Sequence, residues 1–98
     1  MGPGKADLLD AINATGSISA AGRRLSMSYK RAWDLVNIMN GSFKESLIST
    51  SVGGNQGGGA VVTDFGLKVL AQYRTVEAKA NVAVADEVNH LLAMLNNP

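Results

Sequence analysis

Ser28, Tyr29, Lys30 and Arg31 stand next to one another, four hydrogen-bonding side chains of which two carry full positive charge. Arg23 and Arg24 come shortly before them, so four of the nine basic residues lie between positions 23 and 31, with no acid among them. Groups of this kind suit one chemistry well. Guanidinium and ammonium groups neutralise phosphates, and serine, tyrosine, lysine and arginine donate to phosphate oxygens or to base edges in a DNA groove. Asp34 could accept from a cytosine amino group or orient a basic neighbour. The competing reading is an ordinary solvated surface; for Arg23 and Arg24, phosphate contact and plain surface both stay open.

To present these residues, the chain needs a helix that begins at them. Ser28 is a capping residue for a helix starting at Tyr29, and Ser19 can cap a shorter helix through residues 20–25. In the second helix Ala32, Trp33, Val36 and Met39 recur at the spacing of a buried stripe, which turns Tyr29, Lys30, Arg31, Asp34 and Asn37 elsewhere. Ala20, Ala21, Leu25 and Met27 supply a small apolar surface for a close helix crossing. The pair reads as a helix-turn-helix. Its second helix exposes a first turn at the positive end of the helix dipole, as a recognition helix does in a major groove. Asn40, Gly41 and Ser42 predict its end. A support helix over residues 5–14 places Leu8, Leu9, Ala11 and Ile12 on one side, and Gly16 stops it.

Residues 47–52 and 60–63 are rich in β-branched side chains and predict a hairpin, or wing, around the glycine-rich tip 53–59. The tip lacks the Gly-Lys-Ser/Thr ending of a phosphate loop. It reads as a plain hairpin tip, or as a segment in which Gly54, Asn55 and Gln56 meet the DNA backbone or minor groove. From Thr63, a good cap, the chain reads as helix to near its end. Val69, Tyr73, Val76, Ala80, Val84, Val88, Leu91 and Leu95 follow one another by three or four residues, a seam about 40 Å long at 1.5 Å per residue. A domain of this size cannot cover such a seam, so a second copy is expected on it. The alternative is a bent or broken helix, with the break between Asn81 and Asp86.

At 98 residues the chain fits one domain. It is 46 % hydrophobic and 17 % charged, which is globular composition. The formal net charge is only +1, so any DNA affinity rests on where the charges sit. No cysteine is present, which removes thiolate catalysis and cysteine-held zinc and fits a cytoplasmic location. His90 is the only histidine. No GxSxG occurs, and no pair of acids brackets a pocket. The reading is a binding protein, not an enzyme, with no metal and no cofactor. A protein-interaction module and a small oxyanion-binding protein are the rival readings.

Further residues carry a resemblance. Gly16-Ser17-Ile18-Ser19, then Ser28-Tyr29-Lys30 with Ala32-Trp33-Asp34, Asn37 and Met39-Asn40, then Gly57-Gly58-Gly59-Ala60-Val61 with Thr63 and Gly66, resemble the DNA-binding domain of ModE-type molybdate-responsive bacterial regulators over residues 6–75. The order of elements is similar to that of LysR-like regulators. The resemblance implies a homodimer on a palindromic operator, with Ser28, Tyr29, Lys30 and Arg31 at the major groove. Family members continue into molybdate-binding domains, whereas this sequence stops at Pro98, which argues against molybdate binding by this chain. The wing also departs from related wings in having no lysine or arginine between Leu47 and Leu67.

The expected fold is mainly α with a small β-hairpin: a winged helix-turn-helix over residues 5–63, followed by a long C-terminal dimerisation helix over 64–95 in the same single domain. The expected partners are double-stranded DNA and a second copy of the chain.

Overall fold

The computed structural model describes residues 1–51 and 59–96. Its elements are α1 (Pro3–Thr15), α2 (Ile18–Arg24), α3 (Tyr29–Ser42), β1 (Ile48–Thr50), β2 (Ala60–Val62), α4 (Asp64–Ala83) and α5 (Ala85–Ala93). Helix α1 opens on a proline, whose missing N–H costs nothing in a first turn. It closes at Gly16, which takes φ +72°, a conformation that glycine adopts without a Cβ penalty. The Gly16 N–H donates to the Ile12 carbonyl at 2.8 Å, and the Gly16 carbonyl accepts from the Ala60 N–H at 2.9 Å. One glycine thus ends a helix and ties that corner to the hairpin.

The cap of α2 is Ser17, not Ser19: its Oγ accepts from the Ala20 N–H at 3.1 Å. Starting the helix two residues early places Ile18 in the core at 4 % exposure. Burying such a side chain fully is worth about 1.5–3 kcal/mol, and this decides between two equally good serines. Between α2 and α3, the Met27 N–H donates to the Gly22 carbonyl at 2.8 Å, and Ser26 takes φ +57°. A β-branched residue tolerates that region poorly. Ser26→Val is therefore expected to lower stability by about 1–2 kcal/mol, read as a fall in the chemical-denaturation midpoint at unchanged slope.

Helices α2 and α3 cross where Gly22 faces Ala32; a Cβ on Gly22 would lie 3.1 Å from that of Ala32. The buried stripe of α3 is Ala32, Leu35, Val36 and Met39, with Trp33 only partly buried at its margin. Helix α3 ends at Ser42, within the predicted Asn40-Gly41-Ser42, but without a left-handed Gly41, and Asn40 turns its side chain to the hairpin. Its Oδ1 accepts from the N–H groups of Leu47 and Ile48 at 2.9 and 3.0 Å, while its Nδ2 donates to the Ile48 carbonyl at 3.0 Å. An amide side chain here imitates a neighbouring strand.

Strands β1 and β2 pair antiparallel, with Ile48 opposite Val62 and Thr50 opposite Ala60. Ile48, Ala60 and Val62 turn inward onto α1 and α3, joining Leu8, Leu9, Ile12, Val36, Met39 and Leu47 in one core. Thr63 then caps α4, accepting from the Gly66 N–H at 2.9 Å and donating to the Ser46 carbonyl at 2.8 Å. Gly66 lets the first turn of α4 lie directly on the hairpin.

The tail differs from a single helix over 64–95. Helix α4 ends at Ala83, Val84 takes φ −107° and ψ 8°, and α5 begins at Ala85. The break falls between β-branched Val82 and Val84 on one side and Asp86 and Glu87 on the other, acids that favour the first turn of a new helix. The start of α4 belongs to the domain body: Leu70 is buried, and Val69 and Tyr73 pack against the core. Arg74 fixes its direction. Its guanidinium donates to Asp7 at 2.9 Å and Asp10 at 2.6 Å on α1, and to Glu77 at 3.0 Å on α4 itself. The hydrogen bonds with Asp10, Asp7 and Glu77 push the Arg74 pKa up from a value that is already high, so the clamp stays cationic. From Ala78 to Asn96 every residue is exposed, and α5 buries none. Among the described residues no helix is long and apolar enough to cross a membrane.

Candidate nucleic-acid interface

The first turn of α3 stands away from the core because the buried stripe begins at Ala32. Ser28 caps it, its Oγ accepting from the Arg31 N–H at 3.1 Å. Tyr29 is 62 % exposed and meets Trp33 edge to face, ring centroids 6.3 Å apart, so a large side chain is held upright at the helix start. Lys30 reaches back to Asp34 at 2.9 Å, with both side chains more than half in solvent. An exposed pair of this kind is worth only about 0–1 kcal/mol, so it orients Lys30 without holding it from a phosphate. Arg31 and Arg24 are exposed and make no side-chain hydrogen bond or ion pair among the described residues. Arg23 donates from Nη1 to Ser19 Oγ at 3.0 Å.

The structure therefore gathers Ser28, Tyr29, Lys30 and Arg31 on one exposed turn, with Arg23 and Arg24 at the end of α2. Gly54, Asn55 and Gln56 lie outside the described residues. Beside the turn is a feature that the sequence reading missed: a groove of ≈ 200 Å³ between Ser19, Tyr29 and Trp33 on one side and Thr50, Ser51 and Gly59, at the tip end of the hairpin strands, on the other. Trp33 is a wall of this groove more than a piece of the core. Its Nε1–H is buried and has no hydrogen-bond partner among the described residues. The available signal was the hydroxyl run Ser49-Thr50-Ser51, which is unusual for a strand buried on one face.

A second exposed surface runs down the tail. Val76, Val84, Val88, Leu91 and Leu95 are between 43 % and 63 % exposed, an apolar series beyond the reach of the domain body. Val69 and Tyr73, the first two positions of the expected seam, face their own core.

No protein-family model matches the chain. Individual relatives do. It is 47 % identical over 78 residues to the molybdenum-pterin-binding protein MopB of Rhodobacter capsulatus, a match covering 80 % of this chain and 29 % of that protein. It is 42 % identical over 77 residues to the molybdenum transport protein ModE of Azotobacter vinelandii, covering 79 % and 28 %. With the DNA-binding transcriptional dual regulator ModE of Escherichia coli K12 it shares 35 % identity over 101 aligned positions, covering 96 % and 38 %. The chain thus spans about a third of the length of the curated relatives it matches, from 28 % to 38 % in these three. Among solved structures, the full-length LysR-type regulator LysG of Corynebacterium glutamicum with bound effector Arg superposes with a TM-score of 0.62 at 23 % identity, over 97 % of this chain and 30 % of that one. That likeness concerns the fold. The sequence matches, over about four-fifths or more of its own length, make the chain a homologue of part of the ModE transcriptional regulators.

Proposed function

We propose that the chain reads double-stranded DNA as the winged helix-turn-helix of a transcription regulator, without catalysing a reaction. The reading rests on one observation above all: a capped, basic, exposed first turn of α3 stands beside the tip end of the hairpin strands, on the side turned away from the core. In this reading residues 5–63 read the DNA, with Ser28, Tyr29, Lys30 and Arg31 at base edges and Arg23 and Arg24 on the backbone. Residues 64–95 join two copies through the exposed series from Val76 to Leu95. One recognition helix contacts only a few base pairs; two, held about a helical turn apart, require an inverted repeat and multiply the selectivity. The names of the relatives support genes of molybdenum uptake or use as the regulated set.

Selection of bound duplexes from a random pool at near-physiological salt, with and without molybdate, tests this. An enriched inverted repeat is the expected outcome. No enrichment in either condition would redirect the search to protein partners, and an enrichment that changes with molybdate would give this chain itself a part in sensing.

On the selected duplex, Lys30→Ala is expected to weaken binding by about 1–3 kcal/mol while leaving affinity for unrelated DNA nearly unchanged, as loss of a base-edge contact does. An equal loss on both duplexes would make Lys30 a phosphate contact instead.

A further inference from the structure

We propose that the groove between α3 and the tip end of the hairpin strands is the seat of one DNA backbone phosphate, held by hydroxyl groups. The proposal rests on the DNA-reading function above and assigns a ligand to a surface that this function leaves unexplained.

Hydroxyl groups supply the polar side chains of the lining, apart from the Trp33 indole. Ser19 Oγ already accepts from Arg23 Nη1 at 3.0 Å, and Ser51 Oγ accepts from the Gly59 N–H at 3.2 Å. Each hydroxyl keeps its own proton to donate, since a hydroxyl offers one donor beside its acceptor lone pairs. Tyr29 and Thr50 likewise donate to nothing among the described residues, although each opens on the same groove. With Ser17, whose Oγ accepts from the Ala20 N–H at 3.1 Å, five O–H groups are thus free to donate around one space, and no carboxylate lines it among the described residues. Hydroxyls can also accept, but several of them can turn their protons to one ligand at once only if that ligand accepts. The unesterified oxygens of a phosphodiester are such a ligand.

Size and place agree with this. The ≈ 200 Å³ of the groove equals the share of several water molecules at about 30 Å³ each, enough for a phosphate group with its ester oxygens. Its walls belong to the recognition helix and the tip end of the wing strands, so a DNA strand passing from one to the other would cross it. Arg23, hydrogen-bonded to Ser19, brings a positive charge to its rim. The strands of this wing carry no lysine or arginine, so hydroxyls would do here what a basic side chain could have done.

Neutral contacts have a signature of their own. A lysine or arginine that neutralises a phosphate releases counterions, and its loss lowers the slope of log affinity against log salt by about 1. A hydroxyl releases none. The test is a salt titration of the full chain, and of Thr50→Val and the Ser19→Ala/Thr50→Val pair, on the selected duplex and on an unrelated one. Hydrogen bonds to a charged group are among the stronger kind, so the pair is expected to lose roughly tenfold in affinity, equally on both duplexes, with the salt slope unchanged. Thr50→Val is nearly isosteric at an exposed position, so its fold survives the change. Arg24→Ala provides the contrast: with Arg24 on the backbone, its loss lowers the slope by about 1.

Unchanged affinity in both variants would overturn the proposal, as would a loss confined to the selected duplex or a changed slope. Competition by millimolar inorganic phosphate at constant ionic strength, equal in parent and variants, would also count against it. Failure of the underlying function looks different: the unmodified chain would then show no salt-dependent affinity for any duplex.

Discussion

Gly66→Ala is expected to destabilise the domain, although the same change at most helical sites does the reverse. Alanine normally gains up to about 1 kcal/mol over glycine inside a helix. Here the added Cβ would fall well inside contact distance of the Leu47 carbonyl oxygen and 2.8 Å from Val62 Cγ1. Both obstacles belong to the hairpin, and the Leu47 carbonyl is already engaged, accepting from the Thr63 N–H at 2.9 Å. Neither can retreat without lifting α4 from the sheet. Overpacking of this sort costs about 1–3 kcal/mol. In a domain of this size each kcal/mol is roughly 4–8 °C in melting temperature. Thermal unfolding followed by circular dichroism reads the sign directly, and a raised melting temperature would mean that α4 and the hairpin are not locked together.

The second large effect concerns assembly. Val88→Glu combined with Leu91→Glu is expected to convert a dimer into folded monomers. Helix α5 buries no residue in the single chain, so two charges there leave the winged domain untouched. Sedimentation at low micromolar concentration should show dimers for the parent and monomers for the variant, with matching melting curves. Affinity for an inverted repeat should fall by 10²–10⁴, the range over which linking two binding events acts, while affinity for a single half-site stays the same. A parent that sediments as a monomer would remove the tail from the account of DNA reading altogether.

Much of this architecture could be read from capping and periodicity. Ser28, Thr63 and Gly16 act at helix ends as their chemistry predicts, and α1 buries Leu8, Leu9, Ala11 and Ile12 as their spacing implies. What escaped was decided by tertiary packing. Ser17 and Ser19 are equal as caps; burial of Ile18 chose between them. Trp33 was read into the buried stripe with Ala32, Val36 and Met39, yet Leu35 completes that face, and the tryptophan was left at the margin to form a groove wall. The helix end at Asn40-Gly41-Ser42 was legible, but not that Asn40 would satisfy strand groups seven and eight residues on. The interface was legible on α3, where charge clusters in sequence. It was not legible at the groove, whose hydroxyls come from three elements and converge only when the hairpin closes. The Arg74 clamp was equally hidden, since Asp7 and Asp10 lie 67 and 64 residues away.

That clamp bears on more than the stability of one domain. Because Arg74 ties α4 to Asp7 and Asp10 on α1, the angle at which the tail leaves the body is set in part by two carboxylates at the surface. If two copies meet through their tails, they form a caliper, and this joint sets the gap between its jaws. A shift of a few degrees there would grow along the roughly 14 Å of α4 beyond Arg74, and on into α5, into a different distance between the two reading heads. Loosening Arg74 would then leave each head able to grip its half-site while blurring which spacing of half-sites the pair prefers.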